Sequence, residues 1–176
     1  MFELRCLFTM DTKDYPKDGK RIVRPSARSI IIKENRLALV YSQKYHYYKF
    51  PGGGIEAQED PKIALIRETL EETGLSVIPA SIREYGYVHR IQKGEPEGIF
   101  IQDNYYYFCE TREGVGSTHL DDYEEAEGFT LAYVTPEEAL QENQLKDHAS
   151  ADPLMIQRES RVMNLLVAEG YLDKKR

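Results

Sequence analysis

The chain has 176 residues, of which 41% are hydrophobic and 30% charged, and its formal charge is −7. That length suits a single domain over 1–176 whose core needs no staples, and Cys6 and Cys109 are too few for a disulfide framework. The acidic balance excludes a broad nucleic-acid surface, which would need a basic patch. No apolar run approaches the ~20 residues of a membrane span and the N-terminus lacks a signal-peptide pattern, so a soluble cytoplasmic protein is the expectation.

In chain order, residues 2–9 read as a strand and 10–21 as a polar loop carrying Pro16 and Asp18-Gly19. Residues 26–32 and 37–42 form two strands joined by the turn Lys33-Glu34-Asn35-Arg36. Residues 43–50 lead, through the aromatic stretch Tyr45-His46-Tyr47-Tyr48-Lys49, into a tight glycine turn. A short helix follows, with Asp60 as N-cap, Pro61 at the first helical position and Gly74 just past the last turn. Beyond it, 76–92 is extended, 93–98 is a turn and 99–110 is a long strand. Alternation puts Tyr105 and Tyr107 on one face of that strand and Tyr106 and Phe108 on the other. Residues 111–127 form an acidic loop and 129–134 a last strand. Thr135-Pro136-Glu137-Glu138 is a capping box opening one helix, and Asp152-Pro153 opens the final one, with Ile156, Met163, Leu166 and Val167 along one stripe and Gly170 at its end. Periodicity alone gives an α/β or α+β domain.

The short helix carries the chemistry. With Glu68 at zero and ~100° per residue, Glu71 falls near −60° and Glu72 near +40°. Ile63, Ile66, Leu70 and Thr73 fall opposite, as a core-facing stripe; Leu65 does not fit the division. Like charges at these spacings repel by roughly 0.2–0.5 kcal/mol per pair. Clustered carboxylate oxygens are what a hard divalent cation needs, whereas a merely soluble face would intersperse lysines.

Gly53, five residues, Glu59, seven residues, then Arg67-Glu68-Thr69-Leu70-Glu71-Glu72-Thr73-Gly74-Leu75 resembles the signature box of the Nudix hydrolases, and Phe50-Pro51-Gly52-Gly53 is similar to its lead-in. The one departure is Thr69, where the family usually has an aliphatic residue. The resemblance implies an α/β Nudix fold, a mixed β-sheet between helices (an α/β/α sandwich), with the box as a loop–helix–loop. It also implies hydrolysis of a diphosphate bond in a nucleoside diphosphate linked to another group, with Mg²⁺ as cofactor and Mn²⁺ as an alternative.

By the same resemblance Glu71 and Glu72, joined by the main-chain carbonyl of Gly52, are metal ligands. Glu68 is a further ligand or the general base. Arg67 and Glu59 are the ion pair that orients the helix, and Gly53 permits close approach. Glu125, from the acidic loop that also holds Glu124 and Glu127, is the candidate for a further catalytic carboxylate. Lys49, Arg28 and Tyr48 are the substrate-binding candidates, with Arg24 and Arg90 also tested for phosphate. The rings of Tyr47 and Tyr48 are read either as core packing or as a wall for a nucleobase. The partner is a small nucleotide, not a nucleic-acid polymer or a membrane, and a homodimer is left open. The competing readings are a Nudix-fold binding or regulatory domain and an isoprenoid diphosphate isomerase, which would need a cysteine near the substrate.

Overall fold

The computed structural model describes residues 3–173, and its strands divide into two sheets. The elements are β1 (Cys6–Asp11), β2 (Arg21–Val23), β3 (Ser26–Ile30), β4 (Ile32–Lys33), β5 (Arg36–Ser42), β6 (Tyr47–Lys49), β7 (Gly52–Gly54), α1 (Pro61–Thr73), β8 (Arg83–Gly94), β9 (Gly98–Phe108), α2 (Asp122–Glu127), β10 (Phe129–Val134), α3 (Pro136–Leu145) and α4 (Pro153–Ala168). The larger sheet is mixed, in the order β1-β8-β9-β3-β7, with β2 also pairing with β9. The smaller is antiparallel, β10-β5-β4, with β6 also on β5. Glu34 and Asn35 make the β4–β5 turn at positive φ (50° and 60°), a conformation Asn tolerates better than most residues.

Alternation along the strands then fills two layers. Ile30, Leu37, Leu39, Tyr106 and Phe108 pack with Ala139, Val162, Met163 and Leu166 of α3 and α4. Ala27, Ile31, Ala38, Tyr105 and Tyr107 pack on the other side with Ala64 and Leu65 of α1. Sheets between α1 and the α3–α4 pair make an α/β/α sandwich, and the opposite facing of Tyr105/Tyr107 and Tyr106/Phe108 follows from it.

Three local readings are corrected. The first strand lies at 6–11, not 2–9, because its parallel partners run from Tyr87 to Ile91 of β8. The acidic loop contains α2, where the Glu124 carboxylate accepts from the Asp121 N–H (2.8 Å); a helix of 6 residues is too short to show a period. The third correction concerns α1. Its buried residues are Ala64, Leu65, Thr69, Glu72 and Thr73, while Ile63 and Leu70 are 57% and 38% exposed. Half of the expected stripe, Ile63 and Leu70, is turned away from the core, whereas Thr73 is buried and Ile66 packs against the core as expected; the misfit Leu65 is fully buried. Buried hydrogen-bond partners for Glu72 and Thr69 set this orientation, against the count of apolar side chains.

The caps of α1 follow the sequence closely. The Asp60 side chain accepts from the Lys62 N–H at 2.8 Å, and the Gly74 N–H donates to the Leu70 carbonyl at 2.8 Å. Asp60→Ala is expected to lower stability by about 1 kcal/mol in urea unfolding, the usual loss of an N-cap acceptor.

Candidate active site

The site is built where β7 runs beside β3. Gly52 sits opposite Arg28 in the register, with φ at +148°, and a Cβ there would lie 2.1 Å from the Ala27 carbonyl oxygen. Only glycine allows this approach. Thr69, the departure from the family pattern, is fully buried and its hydroxyl lies 3.1 Å from that of Ser29, which in turn donates to the Pro51 carbonyl at 3.3 Å. Since Ser29 spends its proton on Pro51, Thr69 is the donor to Ser29. One chain of hydroxyls thus joins α1, β3 and the glycine turn.

Glu72 is 1% exposed. Its carboxylate accepts from the Lys49 ammonium at 2.7 Å and from the Gly52 N–H at 3.2 Å. Burial pushes this carboxyl up to about 7, against the opposing pull of Lys49, and the charge of Glu124 adds to the rise. The sequence reading of Glu72 as part of an exposed helix face is therefore corrected. So is that of Lys49 as a phosphate contact: its ammonium is buried against Glu72 and lies 4.9 Å from the centre of the Phe129 ring.

Arg67 holds the other box carboxylates. Its Nε and Nη2 donate to the two oxygens of Glu59, each at 2.9 Å, and Nη1 donates to Glu68 at 2.7 Å and to Glu71 at 3.4 Å. Nη2 also donates to the Gly54 carbonyl at 3.1 Å. This fork of planar donors ties the loop before the helix to its catalytic face, a geometry lysine cannot reproduce. The Arg67 hydrogen bonds hold Glu59 below the usual carboxylate range. Glu68 moves the other way: burial raises its pKa, with Glu71 and Glu124 adding to the rise against Arg67.

Gly53 is packed against the Glu68 carboxylate; a Cβ there would fall 2.4 Å from Oε2. That contact is the far end of a flexible side chain, so Gly53→Ala is expected to displace Glu68 and leave the fold standing. The expected outcome is a fall in kcat of about ten- to a hundredfold, the size usual when the support of a reacting group is lost, with a thermal midpoint close to wild type. A variant that melts early and turns over normally would place the effect in packing instead.

The acidic loop does reach the site. His119 N–H donates to the Glu71 carbonyl and Gly116 N–H to that of Gly74, at 2.8 and 2.7 Å. It delivers Glu124, 4% exposed, whose charge bears on both Glu68 and Glu72. Glu125, the residue singled out from the sequence, is exposed on the outer side of α2. The tyrosines before the glycine turn are packing elements. Tyr47 is buried with its hydroxyl donating to Glu127 at 2.9 Å. The Tyr48 ring lies 4.6 Å from that of Tyr41, and its backbone exchanges hydrogen bonds with Asn143 of α3. These contacts are those of core packing, one of the two readings the sequence left open.

Among the described residues no three His, Cys, Asp or Glu side chains form a ready-made metal cage, because Glu72 faces Lys49 while Glu68 and Glu71 face Arg67. The donor set nevertheless fits a hard divalent ion: it offers only oxygens, and a buried carboxyl with a raised pKa is short of positive charge. The sequence offered no signal for Glu124 over its neighbours, nor for Glu159 of α4, which is fully buried and accepts from the Phe50 N–H at 3.1 Å.

The chain belongs to the Nudix family: it matches the NUDIX domain over residues 23–158, and the family acts on phosphoanhydride bonds. The fold is similar to that of a NUDIX hydrolase from Nitrosomonas europaea (TM-score 0.55, 18% identity, 80% of this chain and 90% of that one covered). It is also similar to a MutT NUDIX hydrolase from Burkholderia pseudomallei (TM-score 0.50, 17% identity, 77% and 97% covered). A search of curated proteins gave no match.

Proposed function

We propose that the chain hydrolyses a diphosphate bond in a small nucleoside diphosphate-linked substrate, with Mg²⁺ as the working ion and Mn²⁺ as a substitute. The observation that carries this is the convergence of Glu68, Glu71 and Glu72 on one helix, with Glu72 buried beside Gly52 and Glu124 close by. Glu71, Glu72 and the Gly52 carbonyl would hold the ion. When bound, a divalent ion neutralises diphosphate charge and makes a water acidic enough to attack at neutral pH.

The remaining work falls to the protein. Glu68, with its pKa raised by burial, takes a proton from the attacking water near neutral pH. Arg67, braced by Glu59, holds Glu68 and Glu71, whose carboxylates would be shared between the guanidinium and a bound cation. Glu124 takes the part first given to Glu125, as the carboxylate from outside the box.

Every residue in this scheme comes from one chain, so a homodimer is not required. Among the described residues no helix is long and apolar enough to cross a membrane, and Cys6 and Cys109 are free. The isomerase reading is disfavoured by position. Cys6 is exposed on β1, and Cys109 is buried among apolar side chains that push its thiol up to about 12, so it is a poor proton donor. The binding-domain reading is disfavoured by the retention of all three box carboxylates.

A panel of nucleoside triphosphates, nucleotide sugars and dinucleotides, assayed for phosphate-containing products with Mg²⁺ or Mn²⁺, tests the proposal. Turnover that disappears in EDTA is expected. Binding without turnover across the panel would favour the regulatory domain.

A further inference from the structure

On the α4 face of the larger sheet, one strand away from the glycine turn, lies a cavity of about 580 Å³. Its cations come from separate elements: Arg28 of β3, Arg90 and Lys93 of β8, Arg158 of α4, and the exposed Arg24 at the mouth. Only Glu95 and Asp152 offset them along the wall. A chain with a formal charge of −7 has gathered five cations around one hole, and like charges so gathered repel.

The anions already present satisfy these cations only in part. Glu159, behind the wall, accepts from the Tyr106 hydroxyl at 2.6 Å and from the Phe50 N–H at 3.1 Å, and stands 3.9 Å from Arg28 and 3.6 Å from Arg158. Asp152 takes one nitrogen of Arg90. Arg158 is 1% exposed. Its Nε donates to the Tyr106 hydroxyl at 3.1 Å and its Nη1 to Gln102 at 3.4 Å. Its Nη2 is buried with no partner among the described residues. A buried, charged donor without an acceptor is costly to keep, and here it belongs to a side chain lining the cationic cavity. Burial and the charges of Arg158 and Arg28 likewise pull the Arg90 pKa down, against Asp152.

We propose that this pocket binds a phosphoryl group of the substrate other than the diphosphate being cleaved, so that the substrate is phosphorylated at its remote end. The inference rests on the hydrolase reading above. Guanidinium groups on three elements approach from different directions, which suits the several oxygens of a tetrahedral dianion better than one planar carboxylate. Arg28 connects the two sites. It sits opposite Gly52 in the register, and its charge reaches Glu72.

The test begins without metal. Inorganic phosphate is titrated into the full chain in EDTA by calorimetry, with acetate as the control anion. One-to-one phosphate binding is expected, weakened by about tenfold or more in Arg90→Gln, as for loss of a charge-assisted contact, and retained in Glu68→Gln. Arg24→Gln, at the exposed mouth, gives a second variant should Arg90→Gln fold poorly. With Mg²⁺, a substrate bearing a remote phosphate should be preferred over its dephosphorylated twin through KM, and Arg90→Gln should erase that preference. Absence of phosphate binding in EDTA, equal binding of acetate, or phosphate affinity unchanged by both arginine variants overturns the proposal. The two readings fail separately: normal turnover by Glu68→Gln would sink the box assignment and leave phosphate binding standing.

Discussion

Glu72→Gln is expected to remove nearly all turnover while the chain remains folded. The wild-type carboxylate accepts from Lys49 and Gly52 at once. An amide of the same shape can turn its oxygen to only one of these donors, and it brings no charge to an incoming cation. The amide leaves the buried Lys49 ammonium without its counter-charge, so a loss of about 3 kcal/mol in stability is expected beside the loss of turnover. Glu68→Gln should cost roughly 10²–10⁴-fold in kcat if Glu68 is the general base. Single-turnover rates at saturating Mg²⁺, beside thermal melts of the same samples, separate chemistry from folding. Wild-type turnover in Glu72→Gln would end its assignment as a ligand.

The same carboxyl should give the metal-free protein an unusual pH response. Its folded pKa is about 7 against an ordinary 4.5, so between those values the folded chain keeps a proton that the unfolded chain has released. Stability from this group is therefore fully present below about 4.5 and is lost as pH rises through 7. The shift corresponds to about 3 kcal/mol over the window. In EDTA, urea midpoints of wild type relative to Glu72→Gln should fall between pH 5 and pH 8. Millimolar Mg²⁺ at pH 8 should recover part of the loss by binding only the folded form. Parallel pH profiles for the two proteins would show that Glu72 titrates like an ordinary carboxyl.

The box was legible because its chemistry is written in consecutive residues: Gly52, Gly53, Glu59 and the run from Arg67 to Gly74. The helix ends were legible for the same reason, since Asp60, Pro61 and Gly74 act on backbone groups next to them. The direction the helix faces was not. A wheel weighs Ile63 and Leu70 as core residues and Glu72 as surface, and it cannot see that Lys49, more than twenty positions earlier, will neutralise Glu72 inside. Tyr47 and Tyr48 were left between two readings for the opposite reason. Their nearness to Gly52 in sequence suggested nearness to substrate, but β6 pairs with β5 and carries them against α3 and Glu127. Arg24, Arg28 and Arg90 were candidates for phosphate one by one, but the sequence could not show that they meet, nor that Arg158 joins them, because the pocket forms only when the sheet and α4 have assembled.

Only Phe50 and Pro51 separate β6 of the smaller sheet from the glycine strand β7 of the larger one. Lys49 ends β6 and Gly52 begins β7, and Glu72 accepts from both across that splice. The carboxylate proposed to receive the cation thus also bridges one strand of each sheet. In the proposed role the same two oxygens would serve both the ion and the join between β6 and β7, so the two demands compete for one side chain.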